Sequence, residues 1–487
     1  MKRLFLVIFS LCCVTAITAQ SEDDFTQRYD DFKRKAQKEY SDFRDEANRQ
    51  YVEFVKQAWR QYKTLPAIPK PKDEEVKPVV MPEEDRNKPI DNKPVVIEEV
   101  ITPPAPEPQP VPIAPIKENP KPVEKYVSFA FYGTDCKVRF NGDEKFTLTD
   151  SSNKSIAEAW ERMSGDAYNN TVRDCLELRI RMKLCDWAYL NMLDAMAEAC
   201  LGKTNEATML AAFIYCQSGY KMRIGRTGAK LCLLYASEHT IYDQPYFNIY
   251  GIKYYVFKSK ESSMEICEAA MPKEKSMSLY IPNVQTLSLD KSQQRTLQSE
   301  RYPEIKVQAA VNRNLINFYN DYPTSEIGNN FMTRWAMYAK TPMDSNTSKE
   351  LYASLKEKIK GMDKRAAVER LLNFVQTAFV YEYDDKVWGG DRAFFAEETL
   401  FYPYCDCEDR SILFSRLVRD IIGLDVILVY YPGHLATAVC FDTDVQGDYI
   451  LLNNRRFTVC DPSYIGAPVG ATMPKMDNKT AKVILLE

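Results

Sequence analysis

Aromatic and small residues recur every eleven positions between Phe25 and Lys63. Tyr29, Tyr40, Tyr51 and Tyr62 fall in one column, Phe32, Phe43 and Phe54 in a second, and Ala36, Ala47 and Ala58 in a third. Eleven residues in three turns is about 3.67 per turn, so the columns form one nearly straight stripe along a helix of about 60 Å. The pattern predicts an amphipathic helix over 20–64. An aromatic stripe has to be covered, either by the protein's own globular part or by self-association or a partner surface.

The periodicity stops at Leu65. Sixteen of the 27 prolines lie between Pro66 and Pro122, interspersed with Lys and Glu. Proline fixes φ and removes a backbone donor, so 65–125 is expected to be an extended, solvated linker without a core. Beyond it, short apolar alternations predict strands in YVSFAFYG and CKVRF, then helices over 155–163 and 171–216. Strands follow at 230–235, 254–258, 278–281 and 305–311, and a helix-rich stretch over 348–380. The order suggests an α+β domain over 126–345 and a second over 346–487.

At the other end, Lys2 and Arg3 precede an apolar run from Leu4 to about Ala16 and small residues up to Ala19. This has the form of a secretory signal peptide over 1–19, and it predicts a secreted or periplasmic protein. No stretch reaches the roughly 18 apolar residues of a spanning helix, so no transmembrane segment is expected. Leu11 stands where a lipoprotein box needs a small residue before Cys12.

Composition narrows the chemistry. A net charge of −4 gives no chain-wide basic field, so nucleic acid is not an expected partner. Only two histidines occur, His239 and His434, which excludes a multi-histidine metal site within one chain. Removal of Cys12 and Cys13 leaves eleven of 13 cysteines, an odd number. Several of these (Cys200, Cys216, Cys232, Cys440) sit in apolar runs and read as small buried hydrophobes. Without a CxxC pair, neither a zinc ribbon nor a thioredoxin-type site has support, and no metal or cofactor is expected.

The last unit concentrates chemistry-bearing residues. Cys407 stands immediately before Glu408, Asp409 and an amphipathic helix over 412–422 ended by Gly423. At a helix N-terminus, unsatisfied N–H groups and the positive dipole end favour thiolate over thiol and can hold an oxyanion. A strand over 426–430 leads to a Pro432–Gly433 turn that delivers His434 to a second strand, 435–441. A third strand, 457–460, ends at Asp461. Cysteine, histidine and aspartate follow one another at intervals of 27 residues. Glu408 and Asp409 are sufficiently explained as first-turn acids of the helix.

The motifs DCEDR, GHLATAV and CDPSY, in this order, resemble the transglutaminase-like superfamily with its papain-like core, in its exported bacterial form. The resemblance covers about 348 to the C-terminus. It implies that Cys407 is the nucleophile, His434 the general base and then acid, and Asp461 the residue that orients the imidazole. It also implies a protein or peptide substrate attacked at a carboxamide or peptide carbonyl. Cys405 competes for the nucleophile's place; the family motif sets its cysteine directly before the acidic pair, which favours Cys407. The calcium dependence of animal transglutaminases is not carried over, since no residue matches those sites.

The middle region repeats this plan loosely. TNEATMLAAFIYCQSGY aligns with the Cys407 helix, GAKLCLLY with GHLATAVC, and YFNIYGIKYYVFK with YILLNNRRFTVCD. This alignment puts the nucleophile slot near Lys203–Asn205, Ala229 opposite His434 and Lys258 opposite Asp461, suggesting a degenerate transglutaminase-like copy. His239 then lies off the site as a hydrogen-bonded structural histidine. Two functions follow as expectations: an exported cysteine acyl-transfer enzyme, hydrolytic or transamidating, or a non-catalytic envelope scaffold built on such domains.

Overall fold

The computed structural model describes residues 20–71 and 76–486, with side chains of the first helix from residue 33 onward. The signal-peptide expectation falls on residues outside these. The chain is mixed α+β, and two six-stranded sheets dominate it.

The first helix, α1, spans Gln20–Val55, nine residues short of the expected end. Its last part docks on the globular body through Arg44, Ala47, Asn48, Tyr51, Val52 and Val55, a spacing of three and four that marks one helix face. Tyr51 is 1% exposed and lies 4.2 Å from the ring of Trp160. Two members of the phenylalanine column, Phe43 and Phe54, face outward instead, as does Tyr40. After α1 the chain becomes a strand, β1 (Trp59–Lys63), so the tyrosine column continues across a change of secondary structure.

The proline-rich stretch is not a solvated spacer. Met81, Val95, Ile101, Ala114 and Ile116 are buried, and a strand, β2 (Ile97–Ile101), forms inside it. Its prolines exclude interior ladder positions but not an edge strand or an extended run over a surface.

The first sheet takes β1, then β3 (Met222–Thr227), β4 (Lys230–Ala236), β5 (Tyr246–Ile249), β6 (Ile252–Val256) and β7 (Ser263–Cys267), in the order β1-β7-β3-β4-β6-β5. The second takes β2, then β8 (Val426–Tyr431), β9 (His434–Cys440), β10 (Tyr449–Leu452), β11 (Arg455–Cys460) and β12 (Ala481–Ile484), in the order β2-β12-β8-β9-β11-β10. The two orders correspond strand for strand. They differ at the edge, where β1 runs antiparallel to β7 and β2 parallel to β12.

Both sheets bury both faces, which is why their central strands read as continuous apolar runs. In β4, Leu231, Leu233 and Tyr235 join the core shared with the helices, while Cys232, Leu234 and Ala236 form a separate cluster on the opposite face. In β9, Leu435 and Val439 face the helical core, and Ala436 and Ala438 the other side. Each sheet is preceded by a buried helix, α2 (Asn205–Gln217) before the first and α4 (Cys407–Leu417) before the second. The expected helical stretch over 348–380 is two helices, Ser345–Lys358 and α3 (Lys364–Thr377), separated near Gly361, whose φ is +78°. The expected strand at 278–281 does not form.

Candidate active site

Cys407 is the first residue of α4, and Asp406 caps that helix. The Asp406 side chain accepts from the Asp409 N–H, and Asp409 Oδ2 accepts from the Asp406 N–H, at 3.4 and 3.3 Å. This reciprocal box fixes where the helix begins and therefore where its first side chain points. Ser411 Oγ donates to the Leu435 carbonyl at 2.8 Å, tying α4 to the strand that starts with His434. Cys407 and His434 line one cavity of about 430 Å³.

His434 Nε2–H donates to Asp461 Oδ2 at 2.9 Å, and both side chains are buried. Asp461 Oδ1 accepts from the N–H groups of Ser463 and Tyr464 at 2.8 and 3.1 Å, so the carboxylate is held on both oxygens. The other imidazole nitrogen, Nδ1, is buried and has no hydrogen-bond partner among the described residues. Cys407 Sγ–H donates to Glu408 Oε2 at 3.2 Å.

Acidic groups crowd the start of α4 more densely than the sequence suggested. Carboxylate oxygens of Asp384, Asp406 and Asp409 lie within 4.8 Å of one another, as do those of Asp384, Asp391 and Glu408, and either group could hold a cation. They also have protein partners. Asp409 Oδ1 accepts from the Phe394 N–H at 2.8 Å, Asp384 Oδ2 from the Arg392 N–H at 2.5 Å, and Asp391 binds Arg334 through both oxygens. Burial, reinforced by Asp384, Cys405 and Glu408, holds the Asp409 carboxyl well above the usual carboxylate range. Burial and Asp391 likewise raise Glu408, opposed by Arg334. Glu408 and Asp409 are thus buried members of the site's surroundings and not simple first-turn acids on a solvated face.

Cys405 lies apart from this cavity, in a two-residue strand paired with Val380–Tyr381, and burial raises its thiol pKa. No disulfide joins any of the eleven cysteines after residue 20. His239 accepts the Leu279 N–H at Nε2 and hydrogen-bonds Ser325 Oγ through Nδ1, at 3.1 and 3.2 Å. It is a structural histidine of the first unit, and burial pushes its pKa down to about 3.

Several residues of the site carried no signal in the sequence. Arg334, Trp335, Trp388 and Tyr430 help to wall the cavity. Gln376, at the end of α3, donates to the carbonyls of Asp461, Tyr464 and Ala467 at 3.0, 2.8 and 3.1 Å, and its Oε1 accepts from the Gly466 N–H. This one buried amide shapes the loop that carries Asp461. Nothing in its helical context distinguishes it from an ordinary core-edge glutamine.

The corresponding place in the first sheet lacks the same residue types. Asn205 starts α2 as Cys407 starts α4. Thr227 pairs with Lys230 across one hairpin, as Tyr431 pairs with His434 across the other, so Lys230 and not Ala229 takes the histidine's place. Continuing the ladders sets Lys258 across from Cys232 and Asp461 across from Ala436, each two residues beyond the start of its strand. A second cavity, of about 300 Å³, opens there, lined by Asn205, Lys230 and Lys258 among others. No described helix is long and apolar enough to cross a membrane. No protein-family profile, curated protein or solved structure matches this chain.

Proposed function

We propose that this chain is an exported cysteine acyl-transfer enzyme of transglutaminase-like type acting on peptide or carboxamide groups. The observation that carries the reading is the shared cavity: a cysteine at a capped helix N-terminus and an imidazole already bonded to a carboxylate line the same space. Cys407 Sγ gives its proton to His434 and attacks the carbonyl carbon. The C–N bond breaks, and the departing amine takes the proton from the imidazolium. Water or another amine then displaces the thiol from the thioester, with His434 again passing the proton. Backbone N–H groups at the start of α4 suit the transient oxyanion. The matching strand order of the first sheet, with Asn205, Lys230 and Lys258 at the three positions, supports a second copy of the same unit that has no nucleophile.

The test is twofold. Iodoacetamide labelling of the intact protein, mapped by peptide mass, is expected to modify Cys407 faster than Cys405. A screen of labelled peptides with and without amine donors is expected to give a product that Cys407→Ala abolishes. Equal reactivity of the two cysteines together with no Cys407-dependent product would end the proposal.

One observation favours a second reading, a non-catalytic scaffold. The Cys407 thiol donates to Glu408, and a carboxylate next to sulfur opposes ionisation. Under that reading Cys407 alkylates only above the ordinary thiol range, and Glu408→Gln moves its alkylation to lower pH without giving a product in the peptide screen.

A further inference from the structure

The proline-rich segment borders the cavity that Cys407 and His434 line. Pro69, Lys70 and Pro71 are part of its wall. The segment is anchored on both units. On the first, Leu65 exchanges backbone hydrogen bonds with Tyr246, and the Asp243 N–H donates to the Ile68 carbonyl at 2.9 Å. On the last, the Val76 N–H donates to the Gly433 carbonyl at 2.9 Å, the Ile465 N–H to the Val79 carbonyl, and the Met81 N–H to the Ile465 carbonyl. Gly433 immediately precedes His434, and Ile465 lies in the loop after Asp461. The segment's main-chain bonds therefore land on the residues that flank the imidazole and its carboxylate. Between these anchors Lys70 Nζ donates to the Asp391 carbonyl at 2.7 Å, on the acidic wall of the cavity. With the segment in place Cys407 and His434 are 3% and 2% exposed.

Main-chain pairing plus one charged side chain in a pocket is how an extended peptide is read. Resting on the acyl-transfer reading above, we propose that residues 65–71 and 76–81 occupy the track of an extended, lysine-bearing peptide and close the site to an external one. The prolines fit an occupant that is not consumed. The Ile68–Pro69 and Lys70–Pro71 linkages are tertiary amides without an N–H, so Pro69 and Pro71 add no main-chain donor to the segment's hold.

The experiment compares two thiol reagents on the full chain, each mapped to Cys407. Iodoacetamide reports whether the sulfur is reactive, and a polyethylene glycol maleimide reports whether the mouth is open. Val76→Pro, which removes the donor to Gly433, and Lys70→Ala are each expected to raise the maleimide rate by about fivefold, the effect of one lost hydrogen bond. A synthetic peptide of residues 64–81 is expected to restore protection to the double variant, and a scrambled peptide to leave it labelled. If circular dichroism shows Val76→Pro to be misfolded, Lys70→Ala alone decides. Unchanged maleimide rates, or no protection by the peptide, would overturn the strap. Slow iodoacetamide labelling of Cys407 in every variant would instead remove the catalytic reading.

Discussion

His434 Nε2 is spent on Asp461 Oδ2 at 2.9 Å, and His434 Nδ1 is left buried with no hydrogen-bond partner among the described residues. An imidazole so divided has one nitrogen fixed by a carboxylate and one available for proton exchange, which sets its tautomer as well as its orientation. Asp461→Asn keeps the size of the side chain but removes the charge that supports an imidazolium. Turnover of any substrate found in the peptide screen is expected to fall by roughly a thousandfold or more. The pH at which Cys407 is half-alkylated is expected to rise, because the thiolate then loses its cationic neighbour. An unchanged alkylation profile would show that Asp461 has no hold on the pair.

Gln376 closes three carbonyls of the 461–467 loop with one amide nitrogen. Gln376→Ala takes the donor away from the Asp461 and Ala467 carbonyls, while Tyr464 keeps the Ala467 N–H, at a cost of about 1–3 kcal/mol. Urea unfolding is expected to show that loss. Hydrogen exchange is expected to quicken at Ser463 and Tyr464, whose N–H groups now bind Asp461. Loss of stability with protection of those two amides retained would make Gln376 a packing residue only.

His239 folds as the neutral imidazole, with its pKa held at about 3 by burial. The unfolded chain's histidine takes a proton near its ordinary pKa of about 6.5. Its contribution is therefore complete above that value and declines as pH falls, at about 1.4 kcal/mol per pH unit, until the folded group protonates near 3. Chemical denaturation between pH 7 and 4 is expected to show this slope, and His239→Gln is expected to flatten it while lowering stability at pH 7. An identical slope in the variant would assign the acid sensitivity to other groups.

Gly219 has φ of +95°, and a Cβ there would stand 2.1 Å from the Val111 carbonyl oxygen. Gly219→Ala is thus expected to push the proline-rich segment off the end of α2 and to cost on the order of 1–3 kcal/mol. Limited proteolysis should then cut near Val111 at rates the wild type does not show. Resistance equal to wild type would mean that the segment is held elsewhere.

Much of this architecture was readable because it is local. The Cys407 helix, the His434 hairpin and the Asp461 strand end are short elements with clear turn chemistry, and each begins or ends within a few residues of its expected place. The eleven-residue repeat also marks a real helix, but periodicity cannot say which neighbour covers which column. Tyr51 is buried and Phe54 is 52% exposed, although both belong to the stripe. Arg44 and Asn48 lie on the covered face through bonds to Asn169, Gln217 and Trp160, a polar contact that no apolar pattern records. Tyr62 continues the repeat yet sits in a strand, because tyrosine suits either state and the pairing with Met264 decides between them. In the linker, the count of prolines hid a usable sign: 95–102 contains none and is largely β-branched, and β2 forms there.

The arm before residue 126 lends an outermost strand to each sheet, β1 to β7 and β2 to β12. A clone begun where the composition turns ordinary, near Tyr126, would leave two ribbons of unpaired amides facing solvent. Strand borders of that kind recruit neighbouring chains, so such a product would tend to clump even with Cys407, His434 and Asp461 all present. Dissection into workable pieces has to follow the hydrogen-bond ladders, each sheet keeping its borrowed border.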